Sequence, residues 1–418
     1  MEVCSVTGGA ALEGTVTIHG AKNSVLPLLA AAILCEEPCV LHNCPDIEDV
    51  KTSMEILSAL GCRCVRDGGS IRVDARTVRN TEIPSALAGK MRSSVLFAGA
   101  LLARCKEASV PMPGGCPLGK RPIDLHLDGF CRMGAEVEPK NGAVLCHAKM
   151  LRPLVHTLPV PSVGATENLL LAAVGCPGVS VLQNAAREPE IADLIGFLTA
   201  CGAKITGAGT PELTVFGGRP LHGAAYTVMP DRMEAATYLC ACAGCGGCVR
   251  LERVRPGDIE TVTAALTACG CGIHADENSM TVCMEGRPRL SGTLTTAPHP
   301  GFPTDAQAPL TAALLRGEGS LSIRETVFEN RFHHVPELRK LGANVTVNGD
   351  TETVSGVSAL HGAALEAKDL RGGAALVLAA LQATEKSVIT GVKHLKRGYD
   401  NLEKNLRALG ADITLSEA

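Results

Sequence analysis

The 418-residue sequence predicts an α/β fold built from six copies of one unit of about seventy residues, grouped as two globules of three units. Three observations predict it. A glycine recurs at Gly61, Gly134, Gly202, Gly270, Gly342 and Gly410, at intervals of 73, 68, 68, 72 and 68 residues. Apolar residues hold fixed places around each glycine. A segment that is apolar nearly all round lies upstream.

In chain order, that upstream segment comes first. Ser24–Leu34, 168–174 and 374–381 carry almost no polar residue, so as helices they belong inside a core rather than on its surface. The next helix starts on acidic or proline-led residues, as at Pro45-Asp46, Pro189-Glu190 and Pro256-Gly257-Asp258. Four residues before each glycine stand Leu57, Phe130, Leu198, Leu266, Leu338 and Leu406, and immediately before it Leu60, Met133, Cys201, Cys269, Leu341 and Leu409. Apolar residues three apart mark one helix face, and a glycine just past the end supplies a left-handed cap. Three residues after it come Cys64, Val137, Ile205, Ile273, Val345 and Ile413, the start of a strand. Each unit therefore reads as buried helix, strand, amphipathic helix, strand. The unit is longer than the usual solenoid repeat, so two globules fit better than a rod, and a cleft between similar globules is a natural ligand site.

Composition narrows the function. Hydrophobic residues make up 46% and charged residues 20%, as in ordinary globular proteins. A net charge of -4 and 2% aromatics with no Trp leave neither a basic footprint nor stacking platforms, so nucleic-acid binding is not expected. The N-terminal region has no signal-peptide pattern, and its apolar stretch Val25 to Cys35 is far short of a membrane span. Nineteen cysteines without an export signal point to a reducing cytoplasm rather than a disulfide framework, with most acting as small buried hydrophobes.

Two loops stand out. The first runs Pro113-Gly114-Gly115-Cys116-Pro117-Leu118-Gly119-Lys120-Arg121-Pro122-Ile123-Asp124-Leu125-His126. Gly-Gly-Cys alone is a turn. With Lys120 and Arg121 beside it, Cys116 becomes a thiol of lowered pKa in an anion-attracting loop. The second is Thr296-Ala297-Pro298-His299-Pro300-Gly301-Phe302-Pro303-Thr304-Asp305, where prolines stiffen the approach to Asp305. Thr304 or Asp305 reads as the N-cap of a helix through 308–315, and the Asp305 carboxylate can also serve as a base. Lys22 falls just before a buried helix, and Arg92, Arg331, Arg371 and Arg397 fall at strand–helix junctions, equivalent ends of repeated units that suggest convergence on a multiply charged ligand. Cys240, Cys242, Cys245 and Cys248 have a spacing open to zinc or an iron–sulfur cluster. They fall where the other copies have a buried helix, so a core role is the expectation and no metal is expected.

These residues together resemble a known family. The Gly-Ala-Lys-Asn of 20–23, Pro113-Gly114-Gly115-Cys116 with Arg121-Pro122-x-Asp124-Leu125-His126, Pro161-Ser162-Val163-Gly164-Ala165-Thr166, Ala186-Arg187-Glu188-Pro189-Glu190-Ile191, Phe302-Pro303-Thr304-Asp305, Glu325-Thr326-Val327-Phe328-Glu329-Asn330-Arg331 and the Arg-Ala-Leu-Gly-Ala of 407–411 are similar to those of UDP-N-acetylglucosamine 1-carboxyvinyltransferases, which are enolpyruvyl transferases. The resemblance implies a two-domain inside-out α/β barrel. Residues 22–229 would carry the Cys116 loop, and 1–21 with 230–418 would carry Asp305 and the arginine cluster. It implies transfer of the enolpyruvyl group of phosphoenolpyruvate to the 3-hydroxyl of UDP-N-acetylglucosamine, with no cofactor.

By the same resemblance, Cys116 is the general acid and Asp305 the general base. Lys22, Arg121 and Arg397 hold the phosphate, Arg331 and Arg371 the carboxylate, and Asn23 belongs to the same ligand set. Arg92, Arg121, Pro122, Ile123, Asp124, Leu125, Ser162, Val163, Asp305 and Val327 line the sugar-nucleotide site. Glu48, Val160 and Lys396 depart from residues common in the family. The nearest alternative activity is 5-enolpyruvylshikimate-3-phosphate synthesis, and a different class is an inactive UDP-sugar-sensing relative.

Overall fold

The computed structural model describes residues 2–114, 123–140 and 142–417. The chain divides into two compact units: Met1–His19 with Pro230–Ala418, and a second within 20–229. Among the described residues there are six sheets. In the second unit one sheet orders its strands Ala225–Thr227, Cys39–His42, Ser70–Asp74, Arg63–Asp67. Another runs Val155–Thr157, Gly178–Gln183, Glu212–Gly217, Lys204–Thr206. The same pattern recurs in the first unit, as in Leu12–Thr17, Gly247–Glu252, Ser279–Met284, Gly272–Ala275. In each of these a strand parallel to its neighbour forms one edge, and an antiparallel hairpin forms the other. The chain's first strand, Glu2–Thr7, lies between Lys386–Thr390 and Asp412–Glu417. The N-terminus thereby completes a sheet whose other strands are contributed by the last fifty-five residues.

Among the described residues, three helices form the interior of each unit: Lys22–Ala31, Phe97–Cys105 and Val163–Val174 in one, and Arg232–Cys245, Thr304–Leu314 and Leu370–Ala380 in the other. The expectation of all-round apolar helices holds. Leu370–Ala380 is buried at every position, and Lys22–Ala31 is buried from Ser24 onward. Two carry an interior proline, Pro27 and Pro309. Proline has no N–H to offer, so the carbonyl four residues earlier, that of Asn23 or of Asp305, lacks its helical partner. Among the described residues no helix is long and apolar enough to cross a membrane.

The recurrent glycines follow the amphipathic helices as the spacing predicts. Gly61, Gly134, Gly202, Gly270, Gly342 and Gly410 all have positive φ, between 86° and 103°. Every apolar residue three places later lies on a strand. The period-3.6 pattern did not reveal the short parallel edge strands, such as Val155–Thr157 and Ala225–Thr227. Three residues are too few to display a period of two.

The cysteine run corrects one expectation. Cys240 and Cys242 are fully buried in the helix Arg232–Cys245, and the Cys242 thiol donates to the Val282 carbonyl at 3.4 Å. Cys248 is not a core residue. It sits exposed on the next strand, opposite Cys283, and the two form a disulfide with an S–S distance of 2.03 Å. The adjacent hairpin places their Cα atoms 4.1 Å apart, a neighbour that sequence spacing does not reveal. Most other described cysteines are buried.

Two outcomes test this account. Gly270 has φ +103°, and a Cβ added there would meet no other atom within 4 Å, so Gly270→Ala isolates backbone strain. It should lower unfolding free energy by about 1–2 kcal/mol in urea, and an unchanged midpoint would remove the cap argument. Cys240→Ala should cost about 1 kcal/mol by loss of packing and leave zinc and iron content unaltered; an equivalent of either metal lost with that sulfur would restore the ligand reading.

Candidate active site

In the unit containing Pro230–Ala418, Asp305 lies in the first turn of Thr304–Leu314. The helix is preceded by Pro303 in extended conformation, and no side chain caps it. Asp305 is therefore not an N-cap, because its carboxylate is engaged elsewhere. Arg331 Nη2 donates to Oδ1 at 2.9 Å and Arg371 Nε to Oδ2 at 3.2 Å. Arg331 also donates to the Thr304 carbonyl through Nε at 3.2 Å and Nη2 at 3.0 Å. Both arginines are almost wholly buried, whereas the Asp305 side chain is 28% exposed.

Buried guanidinium needs compensation, since an unpaired charge away from water is costly. Burial opposes the charge on Arg371, but Tyr399, Asp305 and Asp231 outweigh it and hold its pKa up. Its guanidinium carbon stacks 5.2 Å from the Tyr399 ring centroid, and the Tyr399 hydroxyl meets Thr237 Oγ1 at 2.8 Å. Asp369 caps the helix Leu370–Ala380 by accepting the Gly372 N–H at 2.8 Å, which fixes Arg371 in its first turn. The Arg371 Nη1 group is buried and meets no acceptor among the described residues. A donor in that state suits a carboxylate.

Glu325, buried at 4% exposure, organises the neighbouring loop. It accepts from Thr304 Oγ1 at 2.8 Å and from the backbone N–H groups of Val327 at 2.7 Å and Phe328 at 3.0 Å. Val327 is thereby fixed while remaining exposed. Arg397 ends the short 3-10 helix Val392–Arg397 and is half-buried. Its neighbour Lys396 points away into an ion pair with Glu2 at 2.6 Å.

In the other unit, Lys22 opens the helix Lys22–Ala31 and pairs with buried Asp49 at 2.8 Å. Asn23 is exposed beside it. The Ser24 hydroxyl donates to Asp193, whose carboxylate also takes the Tyr226 hydroxyl at 2.9 Å and the Met229 N–H at 3.2 Å. Glu48 pairs with Lys51 on the surface, and Val160 is exposed.

A second cluster in this unit centres on His126. Asn168 accepts the Gly99 N–H at 2.7 Å and donates to the Val95 carbonyl at 2.8 Å, which fixes its amide orientation. Its second N–H then points at His126 Nδ1, 2.9 Å away, so the imidazole is neutral with its proton on Nε2. Burial, reinforced by the positive charge of Arg92, lowers the His126 pKa to about 4. Gly164 packs so closely that a Cβ there would come within 3.2 Å of the ring. His126 therefore draws together Arg92, Asp124 and the start of the helix Val163–Val174. Ile123 is buried, Leu125 partly buried and Asp124 exposed. Ser162 caps that helix, its hydroxyl accepting the Ala165 N–H at 3.4 Å. The free N–H groups and dipole at such a start favour an anion. Cys116, Lys120, Arg121 and Pro122 lie outside the described residues.

The sequence pattern did not single out Asp49, Thr304, Asp369 or His126 as partners. Asp49, Asp369 and His126 are buried polar residues beside site residues, a signal that needs burial to be known.

Neutral His126 makes stability pH-dependent. Its folded pKa lies below the ordinary 6.5, so the unfolded chain takes up more protons between pH 6.5 and about 4. Its contribution is full above 6.5 and is lost as pH falls towards 4. Denaturation series from pH 7 to 4 should show the wild type losing stability more steeply than His126→Gln, by up to about 1.4 kcal/mol per pH unit. Parallel curves would contradict the neutral assignment.

The chain is similar to known proteins along nearly its whole length. The profile of the EPSP synthase (3-phosphoshikimate 1-carboxyvinyltransferase) family matches residues 6–406. The chain is 45% identical over 408 residues to a UDP-N-acetylglucosamine 1-carboxyvinyltransferase 2 of Caldanaerobacter subterraneus, covering 98% of each chain. Among solved structures, the enolpyruvyl transferase NikO from Streptomyces tendae matches with TM-score 0.90 and 29% identity, over 100% of this chain and 99% of that one. EPSP synthase from Acinetobacter baumannii, at 18% identity and TM-score 0.75 over 100% of both chains, shares the fold.

Proposed function

The chain belongs to the enolpyruvyl transferase family that includes EPSP synthase, and we propose that it transfers the enolpyruvyl group of phosphoenolpyruvate to the 3-hydroxyl of UDP-N-acetylglucosamine, releasing phosphate. This is the first committed step of peptidoglycan synthesis, and we place it in the cytoplasm, where phosphoenolpyruvate is made. The observation that carries the reading is the near-full-length identity to a sugar-nucleotide carboxyvinyltransferase, well above that to EPSP synthase. As fold and domains we propose an inside-out α/β barrel of two three-unit domains, 22–229 and 1–21 with 230–418; the shared strand order and the buried helices support it.

Asp305 is the general base for the sugar hydroxyl. Arg331 and Arg371 now grip its carboxylate, and they are also suited to the carboxylate of phosphoenolpyruvate, with Arg371 Nη1 offering a further donor. A substrate carboxylate that takes over these guanidiniums weakens their hold on Asp305. The base then gains proton affinity as the reacting partner arrives. Lys22, Arg121 and Arg397 neutralise the phosphate, with Asn23 beside them, and fixed cations stabilise the charge that develops as it leaves. Arg92, Arg121, Pro122, Ile123, Asp124, Leu125, Ser162, Val163 and Val327 bind the sugar nucleotide, and the capped helix start at Val163 supplies N–H groups to an anion. Cys116 protonates C3 of the enolpyruvyl group as the hydroxyl adds to C2, and phosphate then leaves from C2 while C3 gives up a proton, restoring the enol double bond.

Phosphate release from phosphoenolpyruvate should depend on UDP-N-acetylglucosamine and not on shikimate-3-phosphate. Release with the shikimate acceptor alone would transfer the chain to the sister activity. Cys116→Ala should lower the rate by roughly two to four orders of magnitude through loss of the proton donor. Cys116→Asp should retain part of it, while losing covalent labelling by the epoxide phosphonate fosfomycin. Full activity in the alanine variant would reduce the loop to a turn.

A further inference from the structure

Three buried thiols outside the proposed site meet at one point. Cys35 closes the 3-10 turn Ala32–Leu34 that continues the helix Lys22–Ala31. Cys39 opens the strand Cys39–His42, and Cys201 closes the helix Pro189–Ala200. Each is 0% exposed, and their sulfur atoms all lie within 4.8 Å of one another. No other group of three or more Cys, His, Asp or Glu ligand atoms converges in this way among the described residues. Three small hydrophobes packed in a core would account for the burial, but not for three sulfurs from three separate elements turned towards a common centre.

The spacing comes close to that of a coordination shell. A planar three-thiolate centre with metal–sulfur bonds of about 2.3 Å sets its sulfurs about 4 Å apart. The present separations need to contract by less than an ångström. The donor set selects the ion. Structural zinc and iron–sulfur clusters take four protein ligands, and three are offered here, all sulfur. Soft thiolates without oxygen donors favour copper(I). The pair Cys35 and Cys39 flanks an exposed bend, Glu36-Glu37, in which Glu36 pairs with Arg104 at 3.7 Å and Glu37 accepts the Gly223 N–H at 3.3 Å.

We propose that Cys35, Cys39 and Cys201 form a copper(I)-binding site. Copper(I) enters as the monovalent ion and stays so. Each sulfur that bonds to it releases its proton to solvent, and no electron is transferred. Occupancy ties the end of the helical run that begins at Lys22 to the end of the helix that carries Asp193, the residue holding Ser24. The site stands apart from the enolpyruvyl reaction and does not rest on it.

The full chain, reduced and kept anaerobic, is titrated with the copper(I)–acetonitrile complex against bicinchoninate, which turns purple as it takes copper(I). One equivalent should be held against the competitor, and X-ray absorption should find three sulfur neighbours. Affinity should fall at least tenfold in Cys35→Ala and in Cys201→Ala, and stay unchanged in Cys131→Ala and Cys240→Ala. Thermal midpoints measured with and without copper should separate for the wild type and not for the Cys201→Ala variant. Copper taken entirely by the competitor, retention undiminished in Cys201→Ala, or binding by exposed cysteines only would overturn the site. Should the alanine variants fail to fold, the absorption spectrum of the unaltered protein decides, because a shell of two sulfurs or one containing nitrogen or oxygen excludes it.

Discussion

A helix buried on every side has to be covered on every side, and six such helices among the described residues govern this molecule. Sheets and amphipathic helices supply the cover along their length. At the first turn the cover has to open, because backbone N–H groups there have no partner within the helix. Polar residues that meet those groups are consequently concentrated at helix starts. Ser162, Asp231 and Asp369 accept such N–H groups at the starts of three buried helices, and Lys22, Asp305 and Arg371 stand in first turns with their side chains engaged by other partners. The positive end of each helix dipole makes the same places hospitable to anions.

In the unit with Pro230–Ala418 the result is a connected set of charges. Asp231 caps one helix by accepting the N–H groups of Met233 and Glu234, Asp305 opens the next, and Arg371 opens the third. Arg371 feels both carboxylates, and Arg331 shares Asp305 with it. Supporting residues keep this set rigid: Asp369 below Arg371, Glu325 across Thr304 and the Val327 backbone, and Tyr399 against the guanidinium. Rigidity matters because electrostatic stabilisation of developing charge works only when the dipoles are already in place. The other unit reaches a comparable state with a neutral group, His126, whose tautomer is dictated by the fixed amide of Asn168.

The cysteines illustrate how one residue type is put to different ends by its surroundings. Cys242 directs its thiol proton from a buried helix at the Val282 carbonyl of the strand Ser279–Met284, and Cys248 joins Cys283 across a hairpin. Cys35, Cys39 and Cys201 come from three elements to one centre. Spacing along the chain offered Cys240 to Cys248 as the ligand-like run, but residues at i, i+2, i+5 and i+8 of a helix and its following strand point in different directions. Residues 166 apart, Cys35 and Cys201, are the ones that meet.

The sequence by itself determined the local grammar. Spacing of leucines and glycines placed the amphipathic helices, their left-handed caps and the strands after them, because those features obey a period of 3.6 residues and the steric freedom of glycine. It also marked which helices had to be buried, since helices without a polar face have no other stable place. The motifs around Lys22, Cys116, Ser162, Asp305, Arg331 and Arg371 pointed to the family. Tertiary structure alone decided the partners. That Asp305 is gripped by Arg331 and Arg371 rather than capping its helix, that Lys22 is held by Asp49, that Lys396 turns to Glu2 and that Cys248 finds Cys283 all depend on contacts between distant segments. Periodicity in one chain carries the direction a side chain faces within its own element. It does not carry which side chain waits opposite, and charge and thiol chemistry are settled by that neighbour.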